Sequence, residues 1–251
     1  MAKNDPLIQP SDIVDAIQLL TRLPVPSNDT PRGAAAAWAY PLAGTVLGAL
    51  AAAIGLLGHA FGLPAPLSAL LTLATLVIAT GALHEDGLAD TADGLWGGWT
   101  LERRLEIMKD SRIGAYGVIA LFLGLAARWA ALWMLFEISP ETAAAAILVA
   151  ATASRAMMPG VMWALPHARP DGLSSQVGDV ARDTALVALG IAVLVALIFT
   201  GWGGVMALIW ALVVTALLAR IARAKIGGQT GDILGATQQL AEIAILFSLL
   251  A

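Results

Sequence analysis

Seven apolar runs divide the chain, at residues 33–61, 67–83, 113–138, 142–165, 184–200, 204–219 and 233–251. A bilayer core takes about 20 predominantly apolar residues per helix, so the pattern predicts about seven membrane spans, the sixth slightly short. Pro41 predicts a kink in the first span, and Pro64 and Pro66 a tight turn that makes the first two spans a hairpin. Ahead of them Ser11 to Leu23 places Ile13, Ile17 and Leu20 on one face, with Asp12 and Asp15 elsewhere and Ser11 as N-cap. It reads as a short amphipathic helix at the interface, broken by Pro24 and Pro26. Residues 1–32 lack the continuous apolar core of a cleaved signal, so the first span is expected to remain in the mature chain.

The polar interruptions carry the candidate chemistry. Residues 84–94 read HEDGLADTADG, one histidine and four acids directly after an apolar run. At about 100° per residue, Asp86, Asp90 and Asp93 fall near 0°, 40° and 340° of a helix and share one face. Three carboxylates so placed repel one another unless a cation intervenes, and Mg²⁺ or Mn²⁺ shared with a substrate phosphate meets that need. The competing reading is a solvated acidic loop. Glu85 lies about 100° off the shared face, as a substitute ligand or an exposed residue. The stretch 84–112 continues through Arg103, Arg104, Lys109 and Arg112, a cationic phosphate clamp or a topological signal at a membrane face. A second polar stretch, residues 220–232, reads RIARAKIGGQTGD, where glycine backbone can approach an anion and Asp232 can add a metal ligand.

Composition supports the membrane reading: 59% of residues are hydrophobic and 13% charged, with mean hydropathy +0.80, against about a quarter charged in soluble domains. No cysteine is present, which excludes disulfides, thiolate metal sites and thiol catalysis and favours a hard, oxygen-bound cation. The net charge of −4 supports no nucleic-acid partner. Counted over alternating loops, every basic residue but two falls on one side, so the positive-inside rule puts the N-terminus and both polar stretches in the cytoplasm and the C-terminus outside. The two exceptions, Arg128 and Arg155, sit within apolar runs and must face the interior, pair with an acid or meet a ligand phosphate. Gln238, Gln239 and Glu242 form an inward polar stripe on the last run, and His59 is expected at a surface or interface. Small-residue spacings such as Gly44 with Gly48 serve close helix packing and leave a homo-oligomer open. The fold expected is a single integral membrane domain over 1–251, an all-α polytopic bundle, with an interfacial segment at 1–32 and active-site loops at 84–112 and 220–232.

HEDGLADTADG, ERRLEIMKDSRIGAYG at 102–117, GGQTGDILGA at 227–236 and LTRLPVP at 20–26 together closely resemble cobalamin synthase, the adenosylcobinamide-GDP ribazoletransferase family. The resemblance spans most of the chain and implies a bacterial cytoplasmic (inner) membrane enzyme. That enzyme joins adenosylcobinamide-GDP to α-ribazole or its 5′-phosphate with loss of GMP, in the last steps of vitamin B12 nucleotide-loop assembly. It further implies Mg²⁺ on Asp86, Asp90, Asp93 and Asp232. His84, or an aspartate not saturated by metal, would act as proton acceptor, with His84 equally able to orient a carboxylate ligand. Lys109, Arg112 and Arg155 would bind phosphate, and Gln229 and Thr230 the nucleotide. The glycine-spaced acids are also similar to those of CDP-alcohol phosphotransferases, although Asp90 stands where that pattern has arginine; aspartate-rich prenyl transferases and a transporter are weaker alternatives.

Overall fold

The computed structural model describes residues 6–26, 28 and 30–251, and every element in it is helical. Helix α1 covers Ser11–Leu20, α2 Tyr40–Ala60, α3 Ala65–Thr80, α4 Leu83–Gly97 and α5 Leu101–Ile107. They are followed by α6 Ala115–Ile138, α7 Pro140–Ala164, α8 Leu173–Val177, α9 Arg182–Ile226 and α10 Gly231–Ser248. The all-α membrane class is therefore as expected.

The expected count of about seven spans is not confirmed. Four helical segments are long and apolar enough to cross a membrane, residues 33–60, 115–138, 140–164 and 182–226, and α3 with α4 makes a fifth only if that bent pair is one span. Three features account for the difference from the expected seven. The run at 67–83 ends early because Gly81 (φ 63°) and Ala82 (φ 58°) take left-handed conformations, and α4 leaves at 85° to α3. The last run becomes α10, whose Gln238, Gln239 and Glu242 are buried among α4, α6, α7 and α9, so the polar stripe does face inward but the helix is a core element. The fifth and sixth runs are joined in α9, which breaks at Gly201 (φ 58°, ψ −140°). Its two legs lie side by side: a Cβ on Gly204 would stand 3.0 Å from that of Ala196.

Packing follows side-chain size. Helix α2 presses on α7 at Gly44 and Gly48; a Cβ on Gly44 would come within 2.2 Å of the Ala151 carbonyl oxygen, so the small-residue spacing does serve close approach. Helix α7 is the buried axis of the bundle, whereas α6 and α9 turn Phe122, Leu123, Ile198 and Trp202 outward. Pro41 produces no kink, because it sits in the first turn of α2, where its missing N–H costs nothing.

The N-terminal segment is held by buried polar contacts as well as by its apolar face. Ser11 is not the cap; the Asp12 carboxylate instead accepts from the Gln9 amide at 3.0 Å, Trp38 Nε1 at 2.6 Å and Arg32 Nη1 at 2.8 Å. Asp15 accepts from Asn28 and from the Arg32 amide. Both acids are buried where Asn28, Arg32 and Trp38 close over the face the pattern left to solvent.

Candidate functional site

The acidic motif is not a solvated loop. Residues 83–97 form helix α4, and the glycine of its DGLAD core is required by contact: a Cβ on Gly87 would meet the Asp232 carbonyl oxygen at 3.0 Å and the Gly235 Cα at 3.1 Å. Gly235 has the converse relation, with Gly87 Cα at 3.2 Å and His84 Cα at 3.3 Å. Helices α4 and α10 thus touch backbone to backbone, which brings the first acidic block against the second polar stretch. Beside this crossing lies a cavity of about 190 Å³. His84, Asp86, Arg169, Ser174 and Asp232 line its polar side, and Leu19, Leu20, Tyr40, Met158 and Met162 its apolar side.

Charge is concentrated at the crossing. Asp90, half-buried one turn beyond Asp86, lies in the repulsive field of Asp86, Asp232 and Asp93, with Arg169 opposing. Asp232 Oδ2 accepts from Arg169 Nη2 at 3.2 Å and Thr230 Oγ1 at 3.1 Å. Burial pushes the Asp232 carboxyl above its usual range, a shift the Arg169 guanidinium opposes without cancelling. Thr230 also caps α10, its Oγ1 accepting from the Ile233 amide at 3.3 Å.

Asp86, Asp90 and Asp232 are therefore brought together, but Asp93 is drawn away: its two oxygens accept from the Gly114 and Gly117 amides at 2.7 and 2.9 Å, securing the start of α6. Both ring nitrogens of His84 are buried without a hydrogen-bond partner, beside the cavity. Among the described residues no group of three His, Asp or Glu side chains is already arranged to hold a metal. The donor chemistry nevertheless suits Mg²⁺, which takes one or two carboxylates and completes its shell with water and substrate phosphate.

Glu85 is neither exposed nor a cavity acid. It accepts from Arg128 Nη1 at 2.7 Å and Gln239 Nε2 at 3.1 Å, while Arg128 Nε donates to Glu242 at 2.8 Å. Arg128 is thus the paired intramembrane charge. Gln238 extends the network by donating to Glu242 at 2.6 Å.

The expected phosphate binders lie elsewhere. Arg155 is buried in α7, donates to the Ala151 carbonyl at 2.9 Å and does not line the cavity. Lys109 pairs with Asp171. Arg112 is 86% exposed and pairs with Asp110, whose carboxyl its hydrogen bonds hold down at about 2. Gln229 is committed structurally: Oε1 accepts from Ser174 Oγ at 2.6 Å, Nε2 contacts His167 Nδ1 at 2.9 Å, and its amide donates to Pro166. That last bond removes one of the glycine-stretch amides expected to meet an anion. Arg169 is the cation that reaches these acids among the described residues, and in sequence it is one loop charge among several; no spacing rule ties residue 169 to a helix more than sixty residues away.

The cobalamin-5-phosphate synthase family model matches residues 12–250. The chain is 45% identical over 240 residues to the adenosylcobinamide-GDP ribazoletransferase of Bradyrhizobium diazoefficiens, covering 94% of this chain and 92% of that one. It is 46% identical over 252 residues to the enzyme of that name from Azorhizobium caulinodans, covering 96% and 95%. With its Mesorhizobium japonicum counterpart the identity is 43% over 245 residues, covering 95% and 94%. No solved structure matches. The family match runs from α1 through α10, the α4–α10 crossing included, and the chain belongs to the cobalamin-5-phosphate synthase family.

Proposed function

We propose that the protein transfers the cobinamide phosphoryl group of adenosylcobinamide-GDP to the ribose hydroxyl of α-ribazole or α-ribazole 5′-phosphate. GMP leaves, and adenosylcobalamin or its 5′-phosphate forms. The observation that carries this reading is the α4–α10 crossing, where Asp86, Asp90 and Asp232 meet Arg169 beside a cavity with one apolar wall. The bond broken is the anhydride P–O bond to GMP, the bond formed joins the same phosphorus to the ribose oxygen, and the hydroxyl proton passes to a protein base.

Each side chain has a place in that scheme. Asp86, Asp90 and Asp232 would hold Mg²⁺, which when bound supplies positive charge against the diphosphate and the departing GMP. Three carboxylates against one guanidinium leave excess negative charge, which supports a divalent cation there. Arg169 can exchange its contact with Asp232 for a substrate phosphate oxygen, a pairing its planar fork favours. His84 borders the cavity with both nitrogens unengaged and can accept the hydroxyl proton. The apolar wall from Leu19, Tyr40, Met158 and Met162 suits the flat apolar base of α-ribazole.

The enzyme would lie in a bacterial cytoplasmic membrane with the cavity facing the cytoplasm, as the one-sided distribution of Lys and Arg supports. The test is incubation of the purified protein in lipid with adenosylcobinamide-GDP and either form of α-ribazole. Chromatography should find GMP and the corrinoid product in equal amounts. Turnover of CDP-activated alcohols instead would reject the substrate assignment.

A further inference from the structure

A second cavity, of about 370 Å³, opens away from the acidic crossing, between α7 and the two legs of α9. Its walls are almost wholly apolar, with Met157, Leu189 and Leu212 at the inner end. At the outer end, where α9 begins and its second leg finishes, stand Arg182 and the half-exposed indole of Trp163. Arg223 follows the groove-lining Ala219 by one helical turn, so it extends the same face past the groove mouth. Among the described residues neither Arg182 nor Arg223 has an ion-pair partner, although acids elsewhere in the loops do. One turn inside Ala219 the groove wall presents Thr215, only 9% exposed, whose hydroxyl is buried with no hydrogen-bond partner.

An apolar slot, a hydroxyl without a partner one turn down, and unpaired cations at the mouth are spaced in the order of a fatty chain, its ester and a phosphate. We infer that this groove binds an anionic glycerophospholipid. One acyl chain lies against Met157, Leu189 and Leu212, the Thr215 hydroxyl donates to an ester carbonyl, and Arg182 and Arg223 hold the headgroup phosphate at the level where the Trp163 ring sits. Charge complementarity decides the occupant: a second protein copy would bring its own arginines to the same mouth. The site lies outside the acidic cavity, so the inference does not rest on the proposed reaction.

The test is native mass spectrometry of the full chain released from nanodiscs of mixed phosphatidylglycerol and phosphatidylcholine. The wild type should retain one phosphatidylglycerol in preference to phosphatidylcholine, and Arg182→Gln should lower that retention about fivefold. Gly160→Leu should also abolish it without lowering the melting temperature, because a Cβ at Gly160 meets nothing within 4 Å and the side chain fills the slot. Equal retention of the two lipids, or retention unchanged in both variants, would overturn the inference. So would disulfide dimers formed by Ala216→Cys, the sole thiol in a cysteine-free chain, since they would show the groove covered by a second copy.

Discussion

Arg128 ties the acidic helix to the rest of the bundle. Its guanidinium, 2% exposed, stands between Glu85 on α4 and Glu242 on α10, at 2.7 and 2.8 Å. Arg128→Met keeps the volume and removes the charge, leaving two buried carboxylates that compete for glutamine donors. Breaking a buried pair by removing one partner costs about 3–5 kcal/mol, chiefly through the uncompensated charge that remains. For a chain of this size about 1 kcal/mol corresponds to about 2–4 °C, so the variant should melt roughly 6–20 °C lower in detergent. The triple variant Arg128→Met/Glu85→Gln/Glu242→Gln removes the stranded charges and should recover most of the loss, because a buried pair replaced as a unit is often near neutral. Melting followed by tryptophan fluorescence at one scan rate compares the three proteins. A single variant within about 2 °C of wild type, or a triple variant no better than the single, would refute the network's role in stability.

Other consequences concern the site and its supports. Asp86→Asn or Asp232→Asn should lower transfer by at least about 100-fold with the melting temperature nearly unchanged, read from GMP release. Asp93→Asn should act on structure: the start of α6 loses charge-assisted bonds worth about 1.5–3 kcal/mol each, and hydrogen exchange at Gly114 and Gly117 should rise. Gly235→Val should push α4 from α10 and cost activity at least about tenfold, measured beside circular dichroism that reports intact helices. Arg112→Ala should leave turnover within about twofold of wild type, since the guanidinium is 86% exposed and among the described residues bonds to its neighbour Asp110 alone; a large loss would restore it as a phosphate binder.

Much of this architecture could be read from one-dimensional pattern. The shared face of Asp86 and Asp90, the inward stripe of Gln238, Gln239 and Glu242, and the close approach at Gly44 all follow from helical periodicity and side-chain size. What escaped depends on which groups meet across the bundle. Periodicity places Asp93 with the other acids but cannot show that two amides at the start of α6 claim it. A lone Arg128 or Arg155 in an apolar run looks alike in sequence, yet one meets two glutamates and the other a carbonyl. The seven-span count is not confirmed for a related reason: hydropathy registers the run ending at Leu83 and the run beginning at Ile233, but not the left-handed break at Ala82 or the burial of α10. Arg169 was invisible as a site residue because its partner, Asp232, lies 63 positions away.

Metal-assisted transfer at the α4–α10 crossing is tested most directly by a Mg²⁺ titration of GMP release from adenosylcobinamide-GDP and α-ribazole, with wild-type protein and Asp232→Asn run side by side in lipid. No product is expected after chelation, with recovery on adding Mg²⁺ back, and for the variant a Mg²⁺ requirement moved to at least about tenfold higher concentration with a reduced maximum. Full activity in the presence of a chelator, or one Mg²⁺ curve shared by both proteins, would contradict the placing of a metal-assisted transfer at the α4–α10 crossing.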